Sequence, residues 1–485
     1  MEQKGLVVQT DKGKIQGLER SGIQLFRGIP YGGNVSGTNR FCPPCDTEKW
    51  NGIKDCTRFG SRAIQGPALD PNIVPEAMKH MAEEVQKHFT GDQKVAEEKE
   101  MSEECLFLNV STPACDAKKR PVLFYIHGGA FMSGGGGLVA DTSDRMIKEN
   151  DLVIVSVNHR LNMFGYLYLG GFDSKYESSG LVGMLDLVQA LQWVKRNITA
   201  FGGDPQNVTL IGESGGGLKI LTLMAMPEAK GLFQKAVVIS GSERIGIKSR
   251  EEAHAQTLRV MKKLGLEDDE WRQLIFMPPE QLFQACEDPS VFETIAVSYY
   301  PIADDVHIPI NPDGRFHAYD CSFDVPLMIG SSEDEIAQWM KKIDPEMTES
   351  GVREILLGNE DIVTAVLPNI QEKDVEAIIQ SVKETDSKEK EPWHLLLQIL
   401  SAANFLGGGA FPQALVKTRQ GGAPVWLWST AYDSYNPLNP SMPCSWHTAD
   451  LAYMFRAVWR KEAENLSKIQ AGGNRLLCKI WNTAE

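Results

Sequence analysis

The segment that most constrains this chain is Val208-Thr209-Leu210-Ile211-Gly212-Glu213-Ser214-Gly215-Gly216-Gly217. A β-branched apolar run enters Gly-x-Ser-x-Gly, and a helix-compatible stretch at 218–226 leaves it. A serine on so abrupt a strand-to-helix turn has a strained backbone, and the residues two before and two after it pass close together. Gly212 and Gly216 therefore have to lack side chains. The turn lifts the Ser214 hydroxyl clear of the sheet edge. It also aims the first free N–H groups of the helix at any anion that forms there. A Gly-rich turn of this kind can equally cradle a phosphate, so the motif alone leaves two readings open.

A second motif separates them. Residues 121–131 read as a buried strand running into His127-Gly128-Gly129, a glycine-rich loop of the type that supplies the other half of an oxyanion hole. Both motifs, in this order, resemble the type B carboxylesterases, the α/β-hydrolase branch that includes carboxylesterases, cholinesterases and neuroligins. Phe26-Arg27-Gly28-Ile29-Pro30-Tyr31, Ser102-Glu103-Glu104-Cys105-Leu106, Asn158-His159-Arg160-Leu161 and Phe201-Gly202-Gly203-Asp204-Pro205 are similar to further stretches of that family. The resemblance runs from about residue 5 to the C-terminus. It implies an α/β-hydrolase fold: a large, mostly parallel central sheet flanked by helices, with helical cap insertions.

A serine hydroxyl is a weak nucleophile at neutral pH; it needs a base, and the base needs an orienting carboxylate. In α/β-hydrolases the acid and then the histidine follow the nucleophile. A strand expected at 325–330 leads into Ser331-Ser332-Glu333-Asp334-Glu335. The resemblance places the acid on Glu335, with Asp334 as the alternative. Family members usually have Gly after the acid, and this chain has Ile336. Of the nine histidines, His447 alone sits after the last expected strand in a family-like setting, with Asp450, Leu451, Tyr453 and Phe455 behind it. His307 and His317 precede the acid, His394 falls in an apolar helical run, and His127 shapes the glycine loop. The bulky Trp446 before His447 either narrows the pocket or packs.

The resemblance implies an oxyanion hole built from the N–H groups of Gly128, Gly129 and Gly215. Relatives usually carry Ala at the position of Gly215; the glycine keeps the N–H but weakens the helix start by roughly 0.5–1 kcal/mol. Glu213, beside the serine, either tunes the site electrostatically or pairs with a buried neighbour, the second being the favoured reading. Arg160 is read as a structural ion pair with Glu103/Glu104.

Composition narrows the partners. A net charge of −15 opposes nucleic acid and anionic membrane surfaces, and no apolar run approaches the roughly 20 residues of a membrane span. The first ten residues lack the apolar core of a leader, so the protein is intracellular or a leader has been removed. Cysteine usage favours a cytoplasmic setting. The nine cysteines form no regular framework. Secreted relatives pair the cysteine corresponding to Cys105 with one shortly after a Phe-Gly, where this chain has Ser61-Arg62-Ala63-Ile64-Gln65. Cys42-Pro43-Pro44-Cys45 lacks a second pair or a thioredoxin-like context and reads as ordinary loop. Asn109, Asn197 and Asn207 head Asn-x-Ser/Thr triplets that are expected to be unused. No cofactor or metal motif stands out. Relatives continue beyond the helix at 476–481, so a truncated C-terminus is the expectation.

Along the chain, residues 5–30 alternate as an antiparallel meander should. Strands buried on both faces are expected at 106–110, 122–127 and 153–158, a further strand at 235–240 and the last two central strands at 325–330 and 424–429, with an amphipathic helix at 184–199. The organisation expected is one domain over 1–485, with helical insertions at about 66–104, 249–298 and 334–419. The best helical window of the first insertion is 77–88. The function expected is a serine carboxylic ester hydrolase acting on a small-molecule ester. An amidase, thioesterase or lipase uses the same triad. A neuroligin-like binding module usually lacks the nucleophile present here, and a cholinesterase needs a rim tryptophan that residues 51–192 do not contain.

Overall fold

The computed structural model describes residues 2–66, 100–242, 247–286, 299–309, 320–340, 343–358, 363, 367, 370–385, 391–403, 408–431 and 442–455. The first expected insertion, including its window at 77–88, lies almost wholly outside them.

Strands β1 (Glu2–Gln9), β2 (Lys14–Arg20) and β3 (Ile23–Pro30) form the expected antiparallel meander. It continues through β5 (Phe107–Thr112) into β7 (Val153–Val157), both pairings antiparallel. From β7 onward the sheet is parallel: β6 (Arg120–Ile126), β8 (Gly203–Glu213), β9 (Lys235–Ile239), β10 (Leu327–Ser332) and β11 (Val425–Thr430). The order is β1-β2-β3-β5-β7-β6-β8-β9-β10-β11, with β4 (Ile53–Asp55) beside β2. Every residue of β7 is buried, as a strand covered on both faces requires.

Helix α1 (Val182–Asn197) buries Leu187, Leu191 and Val194 against the sheet. The two residues expected after it belong instead to a 3₁₀ turn, Ile198–Phe201, which Gly202 ends with a φ of 78°. Helix α2 (Gly215–Ala225) follows β8 directly and is buried throughout. Helix α3 (Arg250–Lys263) starts on a capping box in which Ser249 and Glu252 satisfy each other's backbone N–H.

Between β10 and β11 run α4 (Glu349–Leu357), α5 (Glu372–Thr385), α6 (Pro392–Ala403) and α7 (Ala410–Gln420). Val352 and Leu356 of α4, Val375 and Ile379 of α5, and Leu396 and Leu400 of α6 build an apolar cluster separate from the main core. Ile336 and Trp446 belong to the same cluster. Ile336 stands where family members usually have Gly, and the bulky Trp446 resolves to packing. Each adjoins a candidate site residue, so one small core steadies both. Among the described residues no helix is long and apolar enough to cross a membrane.

Asn109 and Asn197 are buried. Asn109 accepts the Gly28 N–H at 2.9 Å, and Asn197 accepts the Asp11 N–H at 2.8 Å. Cys105 is a buried free thiol, and Cys42 and Cys45 are free as well.

Candidate active site

The sheet order reverses where β6 lies between β7 and β8, because the chain leaves β6 for one side and returns on the other. Ligands of open parallel sheets bind in the crevice at such a switch point, beyond the carboxyl ends of the strands. Two segments meet there. The register pairs Ile126 with Gly212, so the loop beginning at His127 and the turn carrying Ser214 emerge side by side.

Ser214 has φ 54° and ψ −125°, the strained conformation expected of a nucleophile turn. Its N–H is held by Ile239 O at 2.8 Å, which ties the turn to the end of β9. A Cβ on Gly212 would lie 2.6 Å from the Gly216 carbonyl carbon, and one on Gly216 would lie 2.1 Å from Ile126 O. The glycine spacing is therefore a steric requirement. A Cβ on Gly128 would stand 3.4 Å from Ser214 Cβ, so the glycine loop lies against the serine.

The loop after β10 brings in Glu335. It is fully buried; its Oε1 accepts the Ser332 N–H at 2.7 Å and its Oε2 lies 2.5 Å from His447 Nδ1. Asp334 faces the other way. Its Oδ2 accepts the Ser445 N–H at 3.0 Å, and its own N–H donates to Ser445 O at 3.1 Å. Asp334 thus holds the segment that presents His447.

The far side of the imidazole faces Glu213, whose Oε1 is 3.0 Å from His447 Nε2 but has no hydrogen bond among the described residues. Burial pushes Glu213 up to about 8. Burial opposes charge on His447, but Glu213 and Glu335 outweigh it and raise the imidazole to about 9. Asp450 is raised to about 6, first by burial and then by Glu335. One imidazole thus serves three carboxyl groups in a buried site, and the proton stays on it to higher pH than on a free histidine.

His127 stacks on His159 with centroids 5.0 Å apart, and its Nδ1 lies 2.8 Å from Gly128 O. Burial holds it neutral, down to about 3. His394 stacks on Trp393 and puts Nε2 3.1 Å from Asp334 Oδ1. His317 lies outside the described residues. Arg160 pairs with Asp186, at 2.7 and 2.9 Å, and not with Glu103/Glu104. Glu103 is taken by Arg40 at 2.6 Å, so the expected ion pair is corrected. The reason is topological: α1 carries Asp186 beneath Arg160, whereas residues 103–104 face the loop at 35–40.

A second Ser–His–Glu contact exists. His307 Nε2 is 3.3 Å from Ser178 Oγ, and its Nδ1 is 2.5 Å from Glu228 Oε1. Ser178 has an unstrained backbone, φ −88° and ψ 3°, unlike Ser214. Among the described residues, no group of three His, Cys, Asp or Glu side chains is arranged to hold a metal. Lys219, absent from the site residues expected above, is fully buried beside the glycine loop. Its signal was available: a lone charge in a helix of apolar and glycine residues.

Residues 4–482 match the carboxylesterase family. The chain belongs to that family. Among curated relatives, it is 33% identical over 332 residues to a para-nitrobenzyl esterase of Bacillus subtilis, covering 68% of this chain and 63% of that one. It is 30% identical over 348 residues to a phenmedipham hydrolase of Pseudarthrobacter oxydans, covering 71% and 64%. The chain thus spans a little under two thirds of the length of these relatives. Among solved structures, a carboxylesterase of Geobacillus stearothermophilus superposes with a TM-score of 0.72 at 32% identity, covering 94% of this chain and 84% of that one. An esterase from Clostridium hathewayi, described as hydrolysing aliphatic aromatic polyesters, superposes with a TM-score of 0.72 at 28% identity, covering 94% and 85%. The fold is that of the α/β-hydrolases.

Proposed function

We propose that this protein hydrolyses carboxyl esters of small molecules through a Ser214–His447–Glu335 triad and an acyl-enzyme. Ser214 Oγ attacks the acyl carbon while His447 Nε2 takes its proton and then gives it to the leaving alkoxide. Glu335 keeps the other ring proton on Nδ1. The tetrahedral oxyanion is met by the N–H groups of Gly128, Gly129 and Gly215, in a site where one such donor contributes about 2.7–4 kcal/mol. Water, activated by the same imidazole, then releases the acid.

The observation that carries this reading is the 2.5 Å contact between Glu335 and His447, whose Nε2 lies 3.0 Å from Oε1 of Glu213, the residue before a serine held at φ 54°. The names of the relatives make small aromatic esters sensible first substrates. A reducing, cytoplasmic setting is part of the proposal, supported by the free thiol of Cys105.

The test uses a fluorophosphonate probe and a p-nitrophenyl ester series from acetyl to palmitoyl. Wild type should turn over esters and label at one serine; Ser214→Ala should lose both properties, and Ser178→Ala should keep both. Labelling that survives Ser214→Ala would sink the assignment.

A further inference from the structure

Helix α2 carries one charged residue, Lys219, among Leu218, Ile220, Leu221, Leu223 and Met224. It has no exposed surface, a costly placement for an ammonium unless hydrogen bonds replace its water. Its Nζ donates to Ala130 O at 2.6 Å and to His127 O at 3.2 Å, and lies 5.5 Å from the centre of the Phe131 ring. These carbonyls bracket Gly128 and Gly129. No step of the triad chemistry uses the amine.

One helical turn earlier, on the same face, stands Gly215. A Cβ there would lie 2.4 Å from the N, Cα and O atoms of Ala130. Ala130 itself has φ 50°. The absent side chain at 215 and the long one at 219 together seat Ala130 against the helix.

With ester hydrolysis through Ser214 as premise, we propose that Lys219 is a positioning residue of the oxyanion hole, fixing from behind the His127–Gly128 peptide, whose N–H meets the oxyanion, and anchoring the glycine loop at Ala130. A trans peptide is planar, with its C=O and N–H pointing in opposite directions. The His127 carbonyl shares a plane with the Gly128 N–H, so holding that oxygen on Lys219 directs the N–H away from the helix. The next plane, Gly128 C=O with Gly129 N–H, is held the same way by His127 Nδ1 at 2.8 Å. A carbonyl only accepts, so Nδ1 carries the proton. Three donors on a flexible stem suit Lys219 to carbonyls on two different peptides.

The role is tested with Lys219→Met, which keeps the length and removes the donors, and Lys219→Gln, which restores a shorter donor. Each is compared with wild type in hydrolysis of p-nitrophenyl butyrate. A trifluoromethyl ketone provides the second readout. Ser214 Oγ adds to its carbonyl carbon, its proton passes to His447, and the resulting alkoxide occupies the oxyanion hole.

For Lys219→Met, kcat should fall about 10²–10³-fold, the effect of one lost donor, with KM little changed. Affinity for the ketone should fall by the same factor, since both report stabilisation of the tetrahedral state. Lys219→Gln should recover part of each. Wild-type kcat and ketone affinity in a cooperatively melting Lys219→Met overturn the role. So does failure of both variants to fold, which would make Lys219 a packing residue. Failure of the premise shows separately, in wild type, as absent turnover or as labelling that survives Ser214→Ala.

Discussion

Glu335 Oε2 stands 2.5 Å from His447 Nδ1, across 112 residues of chain, while Glu335 Oε1 is held by the Ser332 N–H at 2.7 Å. Its own loop therefore fixes the carboxylate before the imidazole meets it. Glu335→Gln keeps the shape and can keep the Ser332 contact through its amide oxygen. Its NH₂ then faces Nδ1 and favours the tautomer whose Nε2 already carries a proton. In a protease triad the equivalent change costs about 10⁴ in turnover. Steady-state kinetics on Glu335→Gln should show a kcat loss of that order with a modest change in KM. Asp334→Asn should cost far less, because its amide oxygen still accepts the Ser445 N–H. The reverse ranking would move the acid by one residue.

The pH profile should carry the mark of the carboxyl cluster. The base acts only when neutral, so kcat/KM rises as the imidazole loses its proton. Glu335, Glu213 and Asp450 surround His447, and its pKa is raised from 6.5 to about 9. The acid limb of kcat/KM should therefore lie above that of an ordinary histidine. Its midpoint belongs to the coupled cluster and not to a single group. Glu213→Gln removes one carboxylate and should move the limb to lower pH. An unchanged midpoint in Glu213→Gln would show that Glu213 does not charge the imidazole.

Gly215→Ala should do harm, although helix propensity alone predicts a gain of roughly 0.5–1 kcal/mol. The added Cβ would meet Ala130 backbone at 2.4 Å, and backbone yields less readily than a side-chain tip. Thermal melting should show a lower Tm than wild type, and kcat should fall as the glycine loop is displaced. A higher Tm with unchanged kcat would mean that the loop moves freely.

The buried Arg160–Asp186 pair should matter for stability. Both side chains are almost wholly buried, and Asp186 also accepts the Arg160 N–H at 3.0 Å. Asp186→Asn leaves a cation buried without its counter-charge, which costs about 3–5 kcal/mol. Urea unfolding should register that loss at unchanged m-value. Glu104→Gln, which leaves Arg160 its partner, should change stability much less.

What was legible in the sequence was local. The elbow spans five residues, and the approach of Gly212 to Gly216 inside that turn makes its spacing readable; the contact of Gly216 with Ile126 O belongs to the tertiary structure. The meander and most strands were visible because period-2 and all-apolar runs report on neighbouring residues only, and boundaries moved by a residue or two; β11, expected as a central strand, instead stands last in the sheet order with no buried residue among those described. The order serine, acid, histidine came from the family resemblance, and it named the Glu335 and His447 that the fold brings into contact.

Properties that depend on which distant segment arrives at a point were decided by the tertiary structure. Arg160 was assigned Glu103/Glu104, yet the packing of α1 delivers Asp186, because an ion pair is chosen by position and burial more than by charge pattern. Ile336, in place of the usual Gly, and the bulky Trp446 find their reason only in the apolar cluster supplied by the helices between β10 and β11. Gly215 read as a mild helix weakness, whereas the approach of Ala130 makes its missing side chain a requirement. Lys219 carried no motif at all. Its setting exists only once α2 is pressed against the glycine loop, where a charge cut off from water must find backbone carbonyls to hold. Motifs of neighbouring residues made the fold family readable; close packing between segments far apart in the chain settled which side chains meet and how they are held.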